Sequence, residues 1–182
     1  MKKAFTMLEL VFVIVVIGIL AASIIPTVQG NPVREAAVKL VSQIRYAQHL
    51  AMVDDKYTTS GAWYKNRWQI EFTGNKYSIV SDNNTTFAKD PQNSGNDIKN
   101  IELKGLNPLV MTGTECAGKT IISFDNLGRP MVGSLSATTS AYTASGNNGE
   151  LIKTDDCAIV LTDGSKTVYI DIRPETGYSS IR

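Results

Sequence analysis

The chain has 182 residues, of which 43% are hydrophobic and 19% charged, and its 18 Lys and Arg against 17 Asp and Glu give a net charge of +1 with the single histidine neutral. This composition argues against disorder over most of the chain, and the length suits one domain of ordinary size. Nucleic-acid binders usually carry a basic surplus or stripe, and the bulk charge provides none.

An apolar run from Phe5 to Ile25 dominates the first part of the chain, and Glu9 is the single charge among its 21 residues. As a helix the run is about 31 Å long at ~1.5 Å per residue, which matches a hydrocarbon core of ~30 Å. Lys2 and Lys3 precede it and predict a cytoplasmic amino end, because basic residues are enriched on that side. We expect a transmembrane helix over residues 5–25.

A secretory signal peptide is the alternative, with a basic region at Met1 to Lys3 and cleavage somewhere after Ala22. Three observations favour the membrane helix. The uncharged run of 16 residues from Leu10 is at the upper limit for a signal core, Glu9 stands where the apolar stretch begins, and no clear A-x-A motif is present.

Glu9 needs an explanation, because a carboxylate inside a transmembrane helix costs about 2.5–3.5 kcal/mol on insertion scales. No basic side chain lies within helical reach on its C-terminal side. Either Lys2 or Lys3 reaches back along the helix to pair with it, or its partner comes from another molecule.

The string KKAFTMLELVFVIVVIGILAASIIPTVQ, residues 2–29, resembles the amino end of type IV prepilins and type II secretion pseudopilins. In that family a membrane aspartic peptidase removes a short basic leader, and the new terminus is methylated. The resemblance implies a leader at residues 1–4, cleavage between Ala4 and Phe5, N-methylation of Phe5 and an assembly role for Glu9. Ala4 stands where the family usually has glycine.

The same resemblance implies partners and a location. The partners are the prepilin peptidase, other pilin or pseudopilin subunits, the inner-membrane assembly platform and membrane lipid. The chain would cross the inner membrane once, with a cytoplasmic amino terminus and a periplasmic head, and would enter a filament on assembly. There Glu9 would meet the amine of a neighbouring Phe5, so that two charges costly in lipid neutralise each other.

A second helical segment is assigned to residues 26–53, with Asn31 and Pro32 suited to the cap and first turn. Its apolar residues recur at spacings of three and four: Ala37, Leu40, Val41, Ile44, Ala47, Ala51 and Met52. Its polar residues fall off this stripe: Arg34, Lys39, Arg45 and His49. The pattern predicts an amphipathic helix whose apolar side is covered by a sheet formed later in the chain.

Short alternating runs predict antiparallel strands in a β-rich head over residues 54–182. Hairpins are expected at 68–72 with 76–80 and at 157–161 with 166–172, single strands at 98–103 and 120–124, and loops at 81–96 and 133–149. The fold class is α+β. The family resemblance adds a pilin-like arrangement, in which a long N-terminal helix with a transmembrane and an amphipathic half packs on the antiparallel head.

The two cysteines, Cys116 and Cys157, both follow the membrane segment. An oxidising periplasm would permit a bridge worth roughly 4 kcal/mol by the loop-entropy model, and two buried thiols are the alternative. Zinc is disfavoured, since His49 is the single histidine and lies on a distant helix.

No catalytic motif is recognisable, so we expect no enzymatic activity, no cofactor and no metal. The acid pairs Asp54-Asp55 and Asp155-Asp156 leave calcium open, although no twelve-residue calcium-loop pattern surrounds them. An anchored periplasmic hydrolase is the enzymatic alternative.

The carboxyl half resembles the H-component minor pseudopilins and related minor pilins, through Phe124 with Gly128 and Ile170 with Gly177. Some members of that group bind DNA through basic residues after the terminal glycine. The candidates for a weak DNA contact here are Arg129, Arg173 and Arg182, for which solvated surface charge is the alternative.

These observations together predict a minor pilin-like subunit of a type II secretion, type IV pilus or DNA-uptake filament. The alternative is an inner-membrane-anchored periplasmic binding protein or hydrolase that does not polymerise.

Overall fold

The computed structural model describes residues 6–24, 30–59, 61–93, 95–142, 149–154 and 156–182. The chain divides into an amino-terminal unit, Met1–Asn31, and a second unit, Pro32–Arg182, which we call the globular unit. Helix α1, Met7–Ile24, belongs to the first, and its 18 residues are about 27 Å long at ~1.5 Å per residue. Within the described residues, no helix has both the length and the apolar content needed to cross a membrane.

Helix α2, Pro32–Val53, opens the globular unit. Proline suits its first position, because the fixed φ is already helical and the missing N–H would have had no partner in the helix. The predicted helix began at residue 26. Gly30 and Asn31 are not helical, and residues 26–29 lie outside the described part.

The predicted apolar stripe of α2 is buried, with one exception. The buried residues of α2 are Val33, Ala37, Leu40, Val41, Gln43, Ile44, Ala47 and Ala51. The prediction for Met52 was wrong, since that side chain is 46% exposed. Ala51 already holds the buried position in the last turn, and Met52 lies about 100° further round the helix.

Eleven strands are found among the described residues. They are β1 Gln69–Thr73, β2 Lys76–Ser81, β3 Thr86–Phe87, β4 Ile101–Glu102, β5 Val110–Thr112, β6 Ile121–Phe124, β7 Pro130–Val132, β8 Glu150–Leu151, β9 Ala158–Thr162, β10 Thr167–Ile172 and β11 Ser179–Ile181. Their pairings are antiparallel. Two 3-10 turns, Trp63–Asn66 and Leu135–Ala137, complete the described elements.

The strands form two sheets rather than one. In the part of the chain that the structure describes, the larger sheet has the order β3-β2-β1-β6-β7-β8, with β4 also paired to β2. The smaller sheet has the order β11-β10-β9-β5. Helix α2 contacts strands of both sheets, so its buried face closes one core shared between them. The α+β class and the antiparallel pairing are therefore confirmed.

Both predicted hairpins are present. Strands β1 and β2 pair with Thr73 opposite Lys76, and β9 and β10 pair with Thr162 opposite Thr167. The strand predicted at 98–103 is short, because only Ile101 and Glu102 pair with β2. The loop predicted at 81–96 contains β3, and the loop predicted at 133–149 contains the second 3-10 turn, with residues 143–148 outside the described part.

Candidate functional site

Glu9 lies in the first turn of α1, three residues after Thr6. The Glu9 N–H donates to the Thr6 carbonyl at 3.1 Å and to the Thr6 hydroxyl at 3.3 Å. Thr6 therefore acts as the N-cap, and Thr-x-x-Glu is the sequence of a capping box. A negative side chain is also favourable near the positive end of the helix dipole. Sequence reasoning missed this local role, although the spacing of three residues between Thr6 and Glu9 could have revealed it.

Apart from Glu9, the described side chains of α1, residues 7–21, are apolar and exposed. Leu8, Phe12 and Ile19 are 82%, 68% and 63% exposed. A helix that is apolar on all sides is unfavourable in water. Burying one of its large apolar side chains would be favourable by about 1.5–3 kcal/mol. The predicted processing residues, Ala4 and Phe5, lie outside the described residues.

The expected disulfide between Cys116 and Cys157 is formed. It joins the turn that follows β5 to the residue just before β9, and both cysteines are fully buried. A buried bridge between two segments 41 residues apart in sequence restrains the folded chain and is shielded from thiol reagents.

Among the arginines proposed for DNA contact, Arg129 and Arg182 pair with carboxylates. Arg129 Nε donates to the fully buried Asp125 at 2.7 Å, and Arg182 donates through two nitrogens to Asp171 at 2.9 and 3.1 Å. Hydrogen bonding to Asp125 raises the pKa of Arg129. Arg173 lies after β10, where its main-chain N–H donates to the Tyr178 carbonyl. The local pairing reduces the positive potential that Arg129 and Arg182 present to a phosphate backbone.

The structure brings together three of the four residues that carried the second family resemblance: Phe124, Gly128 and Gly177. Gly128 and Gly177 meet at Gln48 of α2, whose Nε2 donates to the carbonyls of Gly128 at 2.8 Å and Thr176 at 2.7 Å. A Cβ on Gly177 would lie 2.7 Å from the Gly128 oxygen and 3.2 Å from the Phe124 ring. Gln48 thus ties α2 to two turns, a role that sequence reasoning did not assign to it.

The described residues of the acid pairs considered for calcium, Asp54, Asp55 and Asp156, take part in local hydrogen bonds. Asp54 accepts from the Trp68 indole at 3.0 Å and pairs with Lys56 at 2.7 Å. Burial would raise the pKa of Asp54, but these hydrogen bonds outweigh it and lower the pKa. No group of three His, Cys, Asp or Glu side chains suited to a metal occurs among the residues that the structure describes.

Asp156 is held by two threonines beside the disulfide. The Thr154 hydroxyl donates to one carboxylate oxygen, and the N–H and hydroxyl of Thr114 donate to the other at 2.9 and 2.7 Å. Hydrogen bonds from Thr154, then from Thr114, lower the pKa of Asp156 to about 2. This arrangement links the turn after β5 to the start of β9. Asp155 lies outside the described residues.

A buried arginine, Arg67, lies two residues before β1, directly after the first 3-10 turn, and sequence reasoning also missed it. Arg67 is 3% exposed, with its guanidinium carbon 4.7 Å from the ring centroids of both Trp63 and Tyr142. Its Nη1 donates to the Ala141 carbonyl at 2.8 Å. Burial lowers the pKa of Arg67. The two aromatic faces stabilise the cation, which anchors the 141–142 segment to the larger sheet.

No family model, no curated protein and no solved structure matches the chain.

Proposed function

We propose that the protein is a minor pilin-like subunit of a periplasmic filament, of the type II secretion, type IV pilus or DNA-uptake kind. It is inserted in the inner membrane, trimmed by the prepilin peptidase between Ala4 and Phe5, and assembled through its amino-terminal helix. It performs no chemistry itself. In this proposal residues 5–25, which include α1, are the membrane segment before assembly and the packing segment afterwards.

The observation that carries the proposal is the combination of Glu9 with the exposed apolar surface of α1. The single carboxylate stands in the first turn of a helix whose other described side chains are nearly all apolar. Desolvating it in lipid is costly without a cation nearby. Cleavage before Phe5 would create an amine four residues away in sequence, and the same amine on a neighbouring subunit supplies the cation during assembly.

The globular unit supports the proposal through its architecture. An amphipathic helix follows the apolar segment and packs on antiparallel sheets, which is the order of elements that the family resemblance implies. The meeting of Phe124, Gly128 and Gly177 around Gln48 supports the part of the proposal that makes the chain a minor subunit. A disulfide suits an oxidising compartment outside the cytoplasm.

The amino terminus of the protein from its native membranes provides the test. We expect mass spectrometry to find a chain that begins with N-methylated Phe5. An intact Met1 in the working state would contradict the proposal and favour an anchored protein that does not polymerise. A chain cut after Ala22 would identify a signal peptide instead.

A further inference from the structure

Strand β11 forms one edge of the smaller sheet. It pairs with β10 so that Ser180 lies opposite Asp171, and Arg182 exchanges both main-chain hydrogen bonds with Tyr169. In an antiparallel pair, residues alternate between those that bond to the partner strand and those that face away. The main-chain groups of Ser179 and Ile181 therefore point away from β10.

One of these outward groups is already occupied by a side chain. Arg45 of α2 donates from Nη2 to the Ser179 carbonyl at 2.8 Å, and its guanidinium carbon lies 5.2 Å from the ring centroid of Tyr178. The N–H and carbonyl of Ile181 make no hydrogen bond to any residue that the structure describes, whereas Ser179 is fully buried and does not line the open side of the strand. An unpaired strand edge of this kind is a template for another strand.

An open groove of about 420 Å³ follows this edge between β11 and α2. Val38 and Val41 line it on the helix side, and Tyr178 and Ile181 line it on the strand side. Val38 and Tyr178 are each 55% exposed. Arg45 is the one charged residue among those that line this groove in the described structure. The groove thus combines an apolar lining, a cation and free main-chain groups.

We propose that this groove binds an extended segment of another protein chain, which adds a strand to β11. The segment pairs with the outward N–H and carbonyl groups of Ile181, places apolar side chains against Val38, and presents a carboxylate to Arg45. Main-chain hydrogen bonds supply affinity in such strand addition, and alternate side chains supply specificity. The proposal goes beyond the filament role and does not depend on it, since an anchored, non-polymerising protein would have the same edge.

The occupant is a different protein rather than a second copy of this chain. Two copies paired through β11 would bring the two Arg45 side chains towards one interface, and like charges facing each other destabilise paired strands. The acidic and apolar segment of another chain meets no such repulsion. A carboxylate beside Arg45 would instead gain a charge-assisted hydrogen bond.

The test uses the full chain in detergent micelles, with amide hydrogen exchange followed by NMR. The probe is an acetylated and amidated heptapeptide of alternating valine and glutamate, added up to millimolar concentration. We expect exchange at the Ile181 amide to slow by at least about tenfold. The same peptide with lysine in place of glutamate should bind more weakly. Slower exchange at the Ile181 amide when the protein concentration is raised without peptide would overturn the proposal, because it would indicate that two copies of the chain pair through β11.

Backbone methylation of the peptide separates strand addition from simple adhesion. A strand bonds through alternate residues, so N-methylation of one alternate set should abolish binding and methylation of the other set should leave it unchanged. Binding that survives both methylations would overturn the proposal, as would the absence of any effect at Ile181 with the unmodified peptide.

Matched variants test the cation. Arg45→Gln should weaken binding of the glutamate peptide by about tenfold, because the charge-assisted hydrogen bond is lost. The glutamate and lysine peptides should then bind with similar affinity. Lys39→Gln removes a positive charge from the same helix outside the groove, and it should leave both affinities unchanged. Equal losses in the two variants would show that net charge, rather than the groove, controls binding, and the proposed site would be wrong.

Discussion

At the scale of the residue, Glu9 has two roles with different partners. The structure gives it a role within its own helix, and the proposal gives it a second role between subunits. Within α1 it is the third residue of a Thr6-capped helix, where a negative charge is stabilising by about 0.3–1 kcal/mol. Between subunits it would neutralise the amine of Phe5. The two roles require different chemistry, since glutamine can replace glutamate in a capping box but carries no charge.

We predict that Glu9→Ala inserts into the membrane at least as readily as the native chain, because removing the carboxylate lowers the cost of insertion, by less than the ~2.5–3.5 kcal/mol of a charge at the helix centre. Its incorporation into filaments should fall several-fold, measured by quantifying the subunit in sheared filament and membrane fractions. Glu9→Gln is the discriminating control. If charge pairing is the function, this variant should assemble as poorly as Glu9→Ala, and normal assembly of Glu9→Gln would leave only the capping role.

Asp156 gives a prediction about pH. Its pKa is about 2 in the folded chain against 3.8 ordinarily, so the folded state prefers the ionised form. The resulting stabilisation is complete above about pH 4, declines as the pH falls towards 2, and is absent below it. The difference in unfolding free energy between the native chain and Asp156→Asn should therefore shrink between pH 4 and pH 2, measured by urea titration at each pH.

A second variant checks the cause of that pH dependence. Thr114→Val leaves the carboxylate in place but removes its hydroxyl donor. It should reproduce part of the change seen with Asp156→Asn, since the Thr154 hydroxyl and the Thr114 N–H still donate. A pH profile for Thr114→Val identical to that of the native chain would show that the hydroxyl does not lower the pKa of Asp156.

At the scale of the element, two glycines separate backbone strain from crowding. Gly74 and Gly177 have nearly equal φ values, +61° and +63°, in the left-handed region that favours glycine. A Cβ on Gly74 meets no atom within 4 Å, whereas one on Gly177 lies 2.7 Å from both the Gly128 oxygen and Gln48 Nε2. The first glycine serves a hairpin turn, and the second allows two turns and α2 to approach closely.

We predict that Gly74→Ala lowers the unfolding free energy by about 1–2 kcal/mol, the cost of the left-handed conformation alone. Gly177→Ala should lower it by about 1–3 kcal/mol more, because the added methyl must displace the carbonyl of Gly128 and weaken the Gln48 hydrogen bonds. Denaturant unfolding of the full chain measures both. Equal losses in the two variants would mean that the contact at Gln48 adjusts without cost.

The elements that the sequence predicted well are those that local chemistry determines. The β1–β2 hairpin follows from alternation around Gly74-Asn75, and α2 follows from spacings of three and four residues. The division into two sheets did not follow, because it depends on pairings such as β1 with β6 and β5 with β9. These strands are about 50 residues apart, and nothing local to either one encodes its partner.

Some candidate sites could likewise be predicted from local sequence, whereas others depend on contacts between distant segments. Glu9 could be identified from the sequence because it is the single charged residue in a long apolar run. The pairing of Cys116 with Cys157 could be expected because the chain has two cysteines. The Gln48 contacts could not, since glutamine on the polar margin of a helix is ordinary, and its partners lie 80 and 128 residues away. The β11 groove likewise exists only because the last strand ends a sheet beside α2.

At the scale of the whole molecule, the disulfide is the one covalent link between segments distant in sequence. It adds to a non-covalent connection at the same place, since β5 pairs with β9 and Asp156 accepts hydrogen bonds from Thr114. The bridge and the strand pairing hold the same two segments. Loss of the bridge can therefore lower the unfolding free energy in two ways. It gives the unfolded chain more conformational freedom, and it can weaken the folded contacts between the two segments.

We predict that Cys116→Ala with Cys157→Ala lowers the unfolding free energy by about 4 kcal/mol, because the unfolded chain regains the entropy of a closed loop of about 42 residues. The chain has two tryptophans, Trp63 and Trp68, and both lie in the globular unit, so their fluorescence during denaturant unfolding reports on that unit alone. The reduced native chain should match the double variant, since both lack the loop constraint. A loss below about 1 kcal/mol would show that the unfolded chain already keeps β5 near β9, whereas a much larger loss would show that the folded contacts around Asp156 need the bridge.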